Sequence, residues 1–272
     1  MARIDLDYFS PTLGFRTDVR VFIPTPDSDE ILNNKSSDYF YPGAKFQVVY
    51  LLHGAYGDYS DWGDFTGVQR YAQDRKLAVV MPSADNSFYQ DMWRGPAFLT
   101  YLTRELPAFL RARFPISAKR ENSFTAGLSM GGYGAWRLAL TCPEQYSAAI
   151  SLSGAIDMVG LTGDIHSGLV SGPVPWRDIV QAPEAAAGSD ADLFTLADKL
   201  RREGRPLPRL FQSCGTEDFI YPSNLAAHRR LEQMGVAVTY EEHPGIHCWD
   251  YWDENIRRAL DWLPLAGNAV AE

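Results

Sequence analysis

Short runs of consecutive apolar residues recur along the chain and constrain its fold more than any other feature. These runs occupy residues 46–53, 77–82, 122–128, 148–152 and 209–214. A strand that is apolar on both sides must be covered on both faces, as parallel strands are when crossover helices join them. Two further strands are predicted at the alternating residues 17–25 and at the more polar residues 236–242.

Helical patterns fill the stretches between these strands, at residues 65–75, 97–113, 132–141, 225–234 and 251–263. The alternation predicts an α/β fold with a mostly parallel, twisted sheet flanked by helices. Two stretches break the rhythm. Residues 27–43 are predicted to form a surface loop, and residues 155–208 an insertion over the active site. We expect residues 1–272 to form a single domain.

Composition excludes several classes of function. The formal net charge is −9, which argues against a nucleic-acid binder, because such proteins carry basic patches. No apolar run reaches the ~18 residues of a membrane span, and the charged, alternating N-terminus does not predict a signal peptide. The 3 cysteines form no CxxC motif, so neither a metal site nor a disulfide framework is predicted. We therefore expect a cytoplasmic protein that does not bind membranes.

A candidate nucleophile lies in residues 127–131, which read G-L-S-M-G and match G-x-S-x-G. An apolar strand precedes the motif and a helix rich in small residues follows it, which is the strand-turn-helix setting that the motif requires. Glycines on both flanks remove the Cβ atoms that would clash in so tight a turn. Ser129 is the predicted nucleophile, and the Met130 N–H, at the start of the helix, is a predicted oxyanion donor.

A serine hydroxyl needs a histidine to take its proton and a carboxylate to orient that histidine. His247, in a loop that opens into the last helix, is the favoured base, and His243, which ends a strand, is the alternative. For the acid, Asp218 and Glu217 both follow the strand at 209–214, and we favour Asp218 because its shorter side chain holds a ring more rigidly. Asp250 and Asp253 belong to the last helix and are expected to face solvent.

The second oxyanion donor normally comes from a loop after an inner strand. Residues 53–55 (H-G-A) follow the run that begins at residue 46, so the Ala55 N–H is the predicted donor, and Gly54 lets the backbone approach the substrate. The His53 side chain is expected to make structural hydrogen bonds. Residues 58–62, which end at Trp62, are candidates for the lining of the acyl pocket, and so are Trp93, Trp176 and Phe219.

These motifs give the chain a family likeness. It resembles the esterase D branch of α/β-hydrolases, and most of all the tributyrin-esterase-like members, on residues 8–14, 50–54, 127–135, 214–218 and 245–249. The resemblance spans nearly the whole chain in the right order. It implies an α/β-hydrolase fold and hydrolysis of small carboxylic esters with short acyl chains, without metal or cofactor.

Several alternatives stay open. S-formylglutathione hydrolases are relatives, but here residues 53–55 replace their Ser-Gly-Leu-Thr-Cys stretch. Sugar-acetyl and feruloyl esterases share the scaffold, so the alcohol part of the substrate is not determined. An acyltransferase would use the same three side chains. A homo-oligomer is possible, and a non-catalytic binding module is the alternative from a different class of function.

Overall fold

The computed structural model describes residues 1–33, 39, 41–166 and 174–272. Parts of the predicted surface loop (34–38 and 40) and of the predicted insertion (167–173) lie outside the described residues. The strands are β1 (Ala2–Ser10), β2 (Phe15–Ile23), β3 (Ala44–Lys45), β4 (Val48–Leu52), β5 (Ala78–Pro82), β6 (Ser123–Leu128), β7 (Ala148–Leu152), β8 (Arg209–Gly215), β9 (Val238–His243) and β10 (Val270–Ala271).

Helices connect most of these strands. They are α1 (Ser28–Leu32), α2 (Asp61–Phe65), α3 (Val68–Asp74), α4 (Phe98–Thr100), α5 (Leu106–Arg113), α6 (Met130–Thr141), α7 (Met158–His166), α8 (Trp176–Ile179), α9 (Pro183–Ala186), α10 (Leu193–Arg202), α11 (Tyr221–Gln233) and α12 (Trp249–Trp262). A π-helical turn, Tyr101–Glu105, joins α4 to α5. In the described part of the chain no helix could cross a bilayer, since even α12 has only 14 residues.

The main sheet has 8 strands in the order β1-β2-β5-β4-β6-β7-β8-β9. The first two pairings, β1 with β2 and β2 with β5, are antiparallel, and all the others are parallel. The predicted fold class is therefore confirmed. Strand order reverses at β4, with β5 on one side and β6 on the other, and such a reversal opens a crevice at the carboxyl ends of the strands.

The sheet is buried on both faces, which explains the continuous apolar runs. In β4, Val48, Tyr50 and Leu52 point to one face and pack with residues of α5, α6 and α10. The intervening Val49 and Leu51 point to the other face and pack with residues of α3 and α12. A strand between two helical layers needs apolar residues at every position, so its sequence shows no alternation.

The first strand, β1, was not predicted. Its burial alternates strictly along residues 2–10, because it lies at the edge of the sheet with one face in solvent. The outward residues Arg3, Asp5 and Asp7 are charged, as edge strands often are. The alternation of charged and apolar residues at the N-terminus, which argued against a signal peptide, also indicates this edge strand.

The helix predicted at 65–75 is broken into α2 and α3, and that prediction is wrong in this respect. Thr66 adopts an extended backbone conformation after α2. The next amide, Gly67 N–H, donates to Asp253 of α12 at 2.7 Å, and Tyr71 Oη donates to the same carboxylate at 3.0 Å. Asp253 therefore does not face solvent as expected, but joins α12 to α3.

Arg20 ties the antiparallel edge of the sheet to α2. Its side chain is almost fully buried, and its guanidinium donates to Asp5 at 2.7 Å and to Asp64 at 2.7 Å. It also donates to the Ser60 carbonyl at 3.2 Å, directly before α2. A buried guanidinium needs such acceptors, because burying an unpaired charge is costly.

Arg20→Met should destabilise the protein, because the apolar side chain keeps the packing but removes hydrogen bonds to two carboxylates and a carbonyl. We expect the free energy of unfolding to fall by about 1–3 kcal/mol, measured by urea denaturation. The matched control is Arg16→Met on the same strand, whose pair with Asp7 is exposed and should matter little. Equal losses in the two variants would contradict a special role for Arg20.

Candidate active site

Ser129 occupies the turn between β6 and α6 with an unusual backbone conformation. Its φ is 52° and its ψ is −118°, a combination that costs a non-glycine residue strain. The backbone on both sides is held: the Ser129 N–H donates to the Leu152 carbonyl at 2.9 Å, and the Ser129 carbonyl accepts from Gly132 and Tyr133. The turn therefore points the hydroxyl out of the sheet at its carboxyl edge.

The flanking glycines are required by close packing at this turn. A Cβ on Gly131 would lie 2.5 Å from the His53 carbonyl oxygen, and one on Gly127 would meet the Gly131 backbone. A Cβ on Gly132 would lie 2.6 Å from Ser151 Oγ. The first turn of α6 is thus wedged against the end of β4, which brings the loop after β4 next to Ser129.

His247 and Asp218 meet at the same edge. The His247 Nδ1 lies 2.8 Å and 3.0 Å from the two carboxylate oxygens of Asp218. The His247 ring is also held edge-on against Trp252, with centroids 4.8 Å apart, and it contacts Phe219 at the same centroid distance. With Nδ1 engaged by the carboxylate, Nε2 is the nitrogen left for proton transfer.

The Asp218 carboxylate is buried and ionised. Burial by itself raises its pKa, but hydrogen bonds from His247 and from the Ile220 N–H outweigh burial and hold the pKa of Asp218 below its ordinary value. An ionised carboxylate at this position fixes the tautomer of the ring and stabilises an imidazolium when one forms.

The two alternatives to these side chains make other contacts. Glu217 is exposed, and its carboxylate accepts from the Gly245 N–H at 2.5 Å, so it fastens the loop after β8 to the loop that carries His247. Backbone hydrogen bonds lower the pKa of Glu217. His243 lies 3.3 Å from Glu241 on its own strand. Neither side chain lines the cavity described next.

A cavity of about 880 Å³ opens above the edge of the sheet. Ser129 and His247 both line it, although no direct hydrogen bond joins their side chains in the described structure. Such contacts are often loose in the absence of substrate. The insertion contributes Ala155, Leu161, Val174 and Trp176 to the wall.

The two predicted oxyanion donors are backbone N–H groups beside Ser129. Met130 is the first residue of α6, where an N–H has no acceptor within the helix. The Ala55 N–H has no hydrogen-bond acceptor among the described residues. Gly54 brings the two close, because a Cβ there would lie 2.6 Å from Leu128 Cδ1 and 3.6 Å from Ser129 Cβ.

His53 is fully buried and holds this loop. Its Nε2 accepts from the Ala84 N–H at 3.0 Å, and its Nδ1 lies 2.7 Å from the Gly54 carbonyl oxygen. Burial lowers the pKa of His53, so the ring is neutral and donates from Nδ1. Because the Gly54 carbonyl and the Ala55 N–H belong to one peptide plane, this bond also orients the Ala55 N–H.

Some of the residues predicted to line the pocket do so in the structure, and others do not. Gly54, Trp176 and Phe219 line the cavity. Trp62 does not: it is buried in the core, where its indole N–H donates to the Leu52 carbonyl at 2.9 Å. Trp93 does not line the described wall either, and its side chain is 56% exposed. The fact that a residue is aromatic therefore does not by itself distinguish a core residue from a pocket residue.

Asp61, from the predicted pocket stretch 58–62, lines the cavity, and so do Phe65 and Trp249, which the sequence reasoning missed. Asp61 and Phe65 stand four residues apart on α2, and Phe65 packs on Trp249 with ring centroids 5.1 Å apart. The i, i+4 spacing was the available signal. Burial, and next the charge of Asp58, raise the pKa of Asp61 to about 6.

Comparison with known proteins gives consistent matches. The family model described as "Putative esterase" matches residues 31–263. The acetyl esterase of Caldicellulosiruptor saccharolyticus is 32% identical over 267 residues, which cover 97% of this chain and 98% of that protein.

Two solved structures from Staphylococcus aureus are also similar over nearly their full length. The substrate-bound fluorophosphonate-binding serine hydrolase FphF has a TM-score of 0.85 at 33% identity, covering 96% of this chain and 98% of that one. The S-formylglutathione hydrolase FrmB has a TM-score of 0.82, also at 33% identity and with the same coverage. The sheet order and these neighbours identify the fold as that of an α/β-hydrolase.

Asp61→Asn should stabilise the protein at high pH and not at low pH. The pKa of Asp61 in the folded state is about 6, above its ordinary value of 3.8. Ionisation of Asp61 therefore destabilises the folded wild type, which loses stability as the pH rises between these two values. The melting temperature of the variant should therefore exceed that of the wild type at about pH 8 and equal it near pH 3.5. Asp74→Asn, on an exposed carboxylate, is the control. A pH-independent difference would contradict the assigned cause.

Proposed function

The chain belongs to the putative esterase family and is a carboxylic ester hydrolase, and from that premise we propose that it is a serine esterase acting on short-chain acyl esters through Ser129, His247 and Asp218. The carrying observation is that the imidazole oriented by Asp218 and the outward-pointing serine line one cavity. The 32% identity to an acetyl esterase supports a short acyl group.

In the proposed reaction, Ser129 Oγ attacks the ester carbonyl carbon while His247 Nε2 takes the hydroxyl proton. The carbonyl oxygen becomes an oxyanion, which accepts hydrogen bonds from the Ala55 and Met130 N–H groups. These donors are fixed before the reaction, by the start of α6 and by the bond between His53 and Gly54. Such preorganised donors stabilise the transition state more than the substrate.

Collapse of the intermediate breaks the bond between the carbonyl carbon and the alcohol oxygen, and His247 returns the proton to that oxygen. The acyl group stays on Ser129 as an ester. Water then attacks this acyl-enzyme, with His247 as the base, and releases the carboxylic acid and the free serine. Asp218 stays ionised throughout and stabilises the imidazolium in both steps.

A thioesterase is the second candidate. The observation that favours it is the 33% identity to an S-formylglutathione hydrolase over 96% of the chain. The same side chains would serve, with a thiolate as the leaving group. The ratio of kcat/KM for S-formylglutathione and for p-nitrophenyl acetate decides between the two, since a thioesterase should strongly favour the former.

Ser129→Ala should lower kcat for p-nitrophenyl acetate by about 10⁴-fold or more. The side chain is small and exposed to the cavity, so the circular-dichroism spectrum and melting temperature should stay near those of the wild type. Intact-protein mass spectrometry should detect an acyl adduct on the wild type and none on the variant. A variant that keeps most of its turnover would overturn the proposed mechanism.

Asp218→Asn should lower kcat by about 10⁴-fold, because an amide cannot stabilise the imidazolium and favours the wrong tautomer. Glu217→Gln is the matched control, since it neutralises the neighbouring carboxylate, whose acceptor oxygen binds Gly245 and is retained in the amide. Its effect on kcat should be mild. The reverse pattern would transfer the orienting role to Glu217.

A further inference from the structure

The cavity wall is rich in aromatic side chains and carries an acidic side chain that the proposed reaction does not use. Its aromatic members are Tyr56, Phe65, Phe88, Trp176, Phe219, Trp249 and Trp252. In the described part of the wall, Asp61 is the only carboxylate, and no Lys or Arg is present. The proposed reaction on a neutral ester gives no role to this negative charge.

Asp61 is half-buried, and the protein does not neutralise it. No described Lys, Arg or His forms an ion pair with it, and no side chain donates a hydrogen bond to it. A backbone hydrogen bond at Asp58 only partly offsets the burial that raises its pKa. The charges that act on it come from Asp58 and Asp64, and both are negative.

The chain also makes room for this carboxylate. A Cβ on Gly57 would collide with Asp61 Oδ2. Gly57 does not have a positive φ, so the backbone there does not require glycine. The absence of a side chain at residue 57 therefore serves the position of the carboxylate.

Asp61, Phe65 and Trp249 belong to a part of the wall that continues from His247. The alcohol oxygen must sit next to His247, which returns the proton to it. From His247 the wall continues through Cys248 to Trp249, which packs on Phe65 of the same helix as Asp61. In the proposed reaction this arrangement would place the alcohol part of a bound ester near these three side chains.

This step rests on the proposed esterase function. We propose that Asp61, Phe65 and Trp249 form a subsite that selects esters whose alcohol part carries a cationic ammonium group. A carboxylate supplies the opposite charge, and aromatic faces attract a cation through their quadrupoles. A neutral hydroxyl group could donate a hydrogen bond to Asp61, but it would leave the negative charge of Asp61 uncompensated and would gain no cation–π attraction. The net charge of −9 also draws cations toward the protein.

The test compares two esters of the same shape, acetylcholine and 3,3-dimethylbutyl acetate, in which carbon replaces the quaternary nitrogen. Glycerol monoacetate serves as a neutral ester with hydroxyl donors. We expect the wild type to hydrolyse acetylcholine with kcat/KM about tenfold or more above that for 3,3-dimethylbutyl acetate. Asp61→Asn should remove this preference, so that the ratio of kcat/KM for acetylcholine to that for 3,3-dimethylbutyl acetate falls to about one.

Two further variants sharpen the result. Asp58→Asn removes one negative charge from the same loop, but its carboxylate is exposed and accepts from Ser60, so the preference should persist. Gly57→Ala should displace the Asp61 carboxylate and weaken the preference as Asp61→Asn does. If Asp58→Asn removes the preference equally, the general negative field and not a subsite is responsible, and the proposal is wrong.

A binding measurement separates the subsite from the catalytic proposal. Choline and 3,3-dimethylbutan-1-ol are titrated into the Ser129→Ala variant, with the fluorescence of Trp249 and Trp252 as the signal. Choline should bind more tightly, and adding Asp61→Asn should remove the difference, even if neither ester is hydrolysed. Equal affinities overturn the subsite. A loss in Asp61→Asn confined to glycerol monoacetate also overturns it, because Asp61 would then recognise hydroxyl groups.

Discussion

The strained turn at Ser129 is the constraint on which the rest of the site depends. A residue with φ of 52° costs about 1–3 kcal/mol, and it persists only where its surroundings leave no alternative. Here β6 is paired on both sides within the sheet, and α6 is pressed against the carboxyl end of β4. This close contact between α6 and β4 requires glycine at residues 127 and 131. It also places the Met130 N–H beside the loop that contains Ala55. The proposed nucleophile and its predicted oxyanion donors are thus positioned by one packing arrangement.

Two adjacent carboxylates show how loop geometry assigns different roles to similar residues. Asp218 closes a turn with its N–H on the Gly215 carbonyl, and its side chain turns inward to His247. Glu217 turns outward and holds the Gly245 amide. Because the second bond fixes the start of the His247 loop, both carboxylates contribute to the position of one imidazole. Only the inward one can stabilise its charge, since only that one contacts the ring.

Much of this arrangement could be predicted from the sequence, and the failures have a common cause. Periodicity is local, so the buried strands were found from their apolar runs, and the order of Ser129, Asp218 and His247 followed from the motif. The direction of a side chain, in contrast, depends on contacts with residues that are distant along the chain. The break between α2 and α3 depends on a bond between Gly67 and Asp253, 186 residues apart along the chain. Trp62 was predicted to line the pocket and Trp249 was not, yet Trp62 packs in the core and Trp249 lines the cavity.

The acidic stretch around α2 shows how stability and function can be separated within a few residues. Asp58 accepts hydrogen bonds from Ser60, and Asp64 pairs with the buried Arg20, which also holds the Ser60 carbonyl. These contacts fix the start of α2. They also give Asp58 and Asp64 a role in stabilising the fold, without reference to any ligand. Asp61 has no comparable contact, and its ionisation costs the folded state free energy, as its raised pKa indicates. Folding requirements therefore explain its neighbours and leave Asp61 to be explained by what enters the cavity.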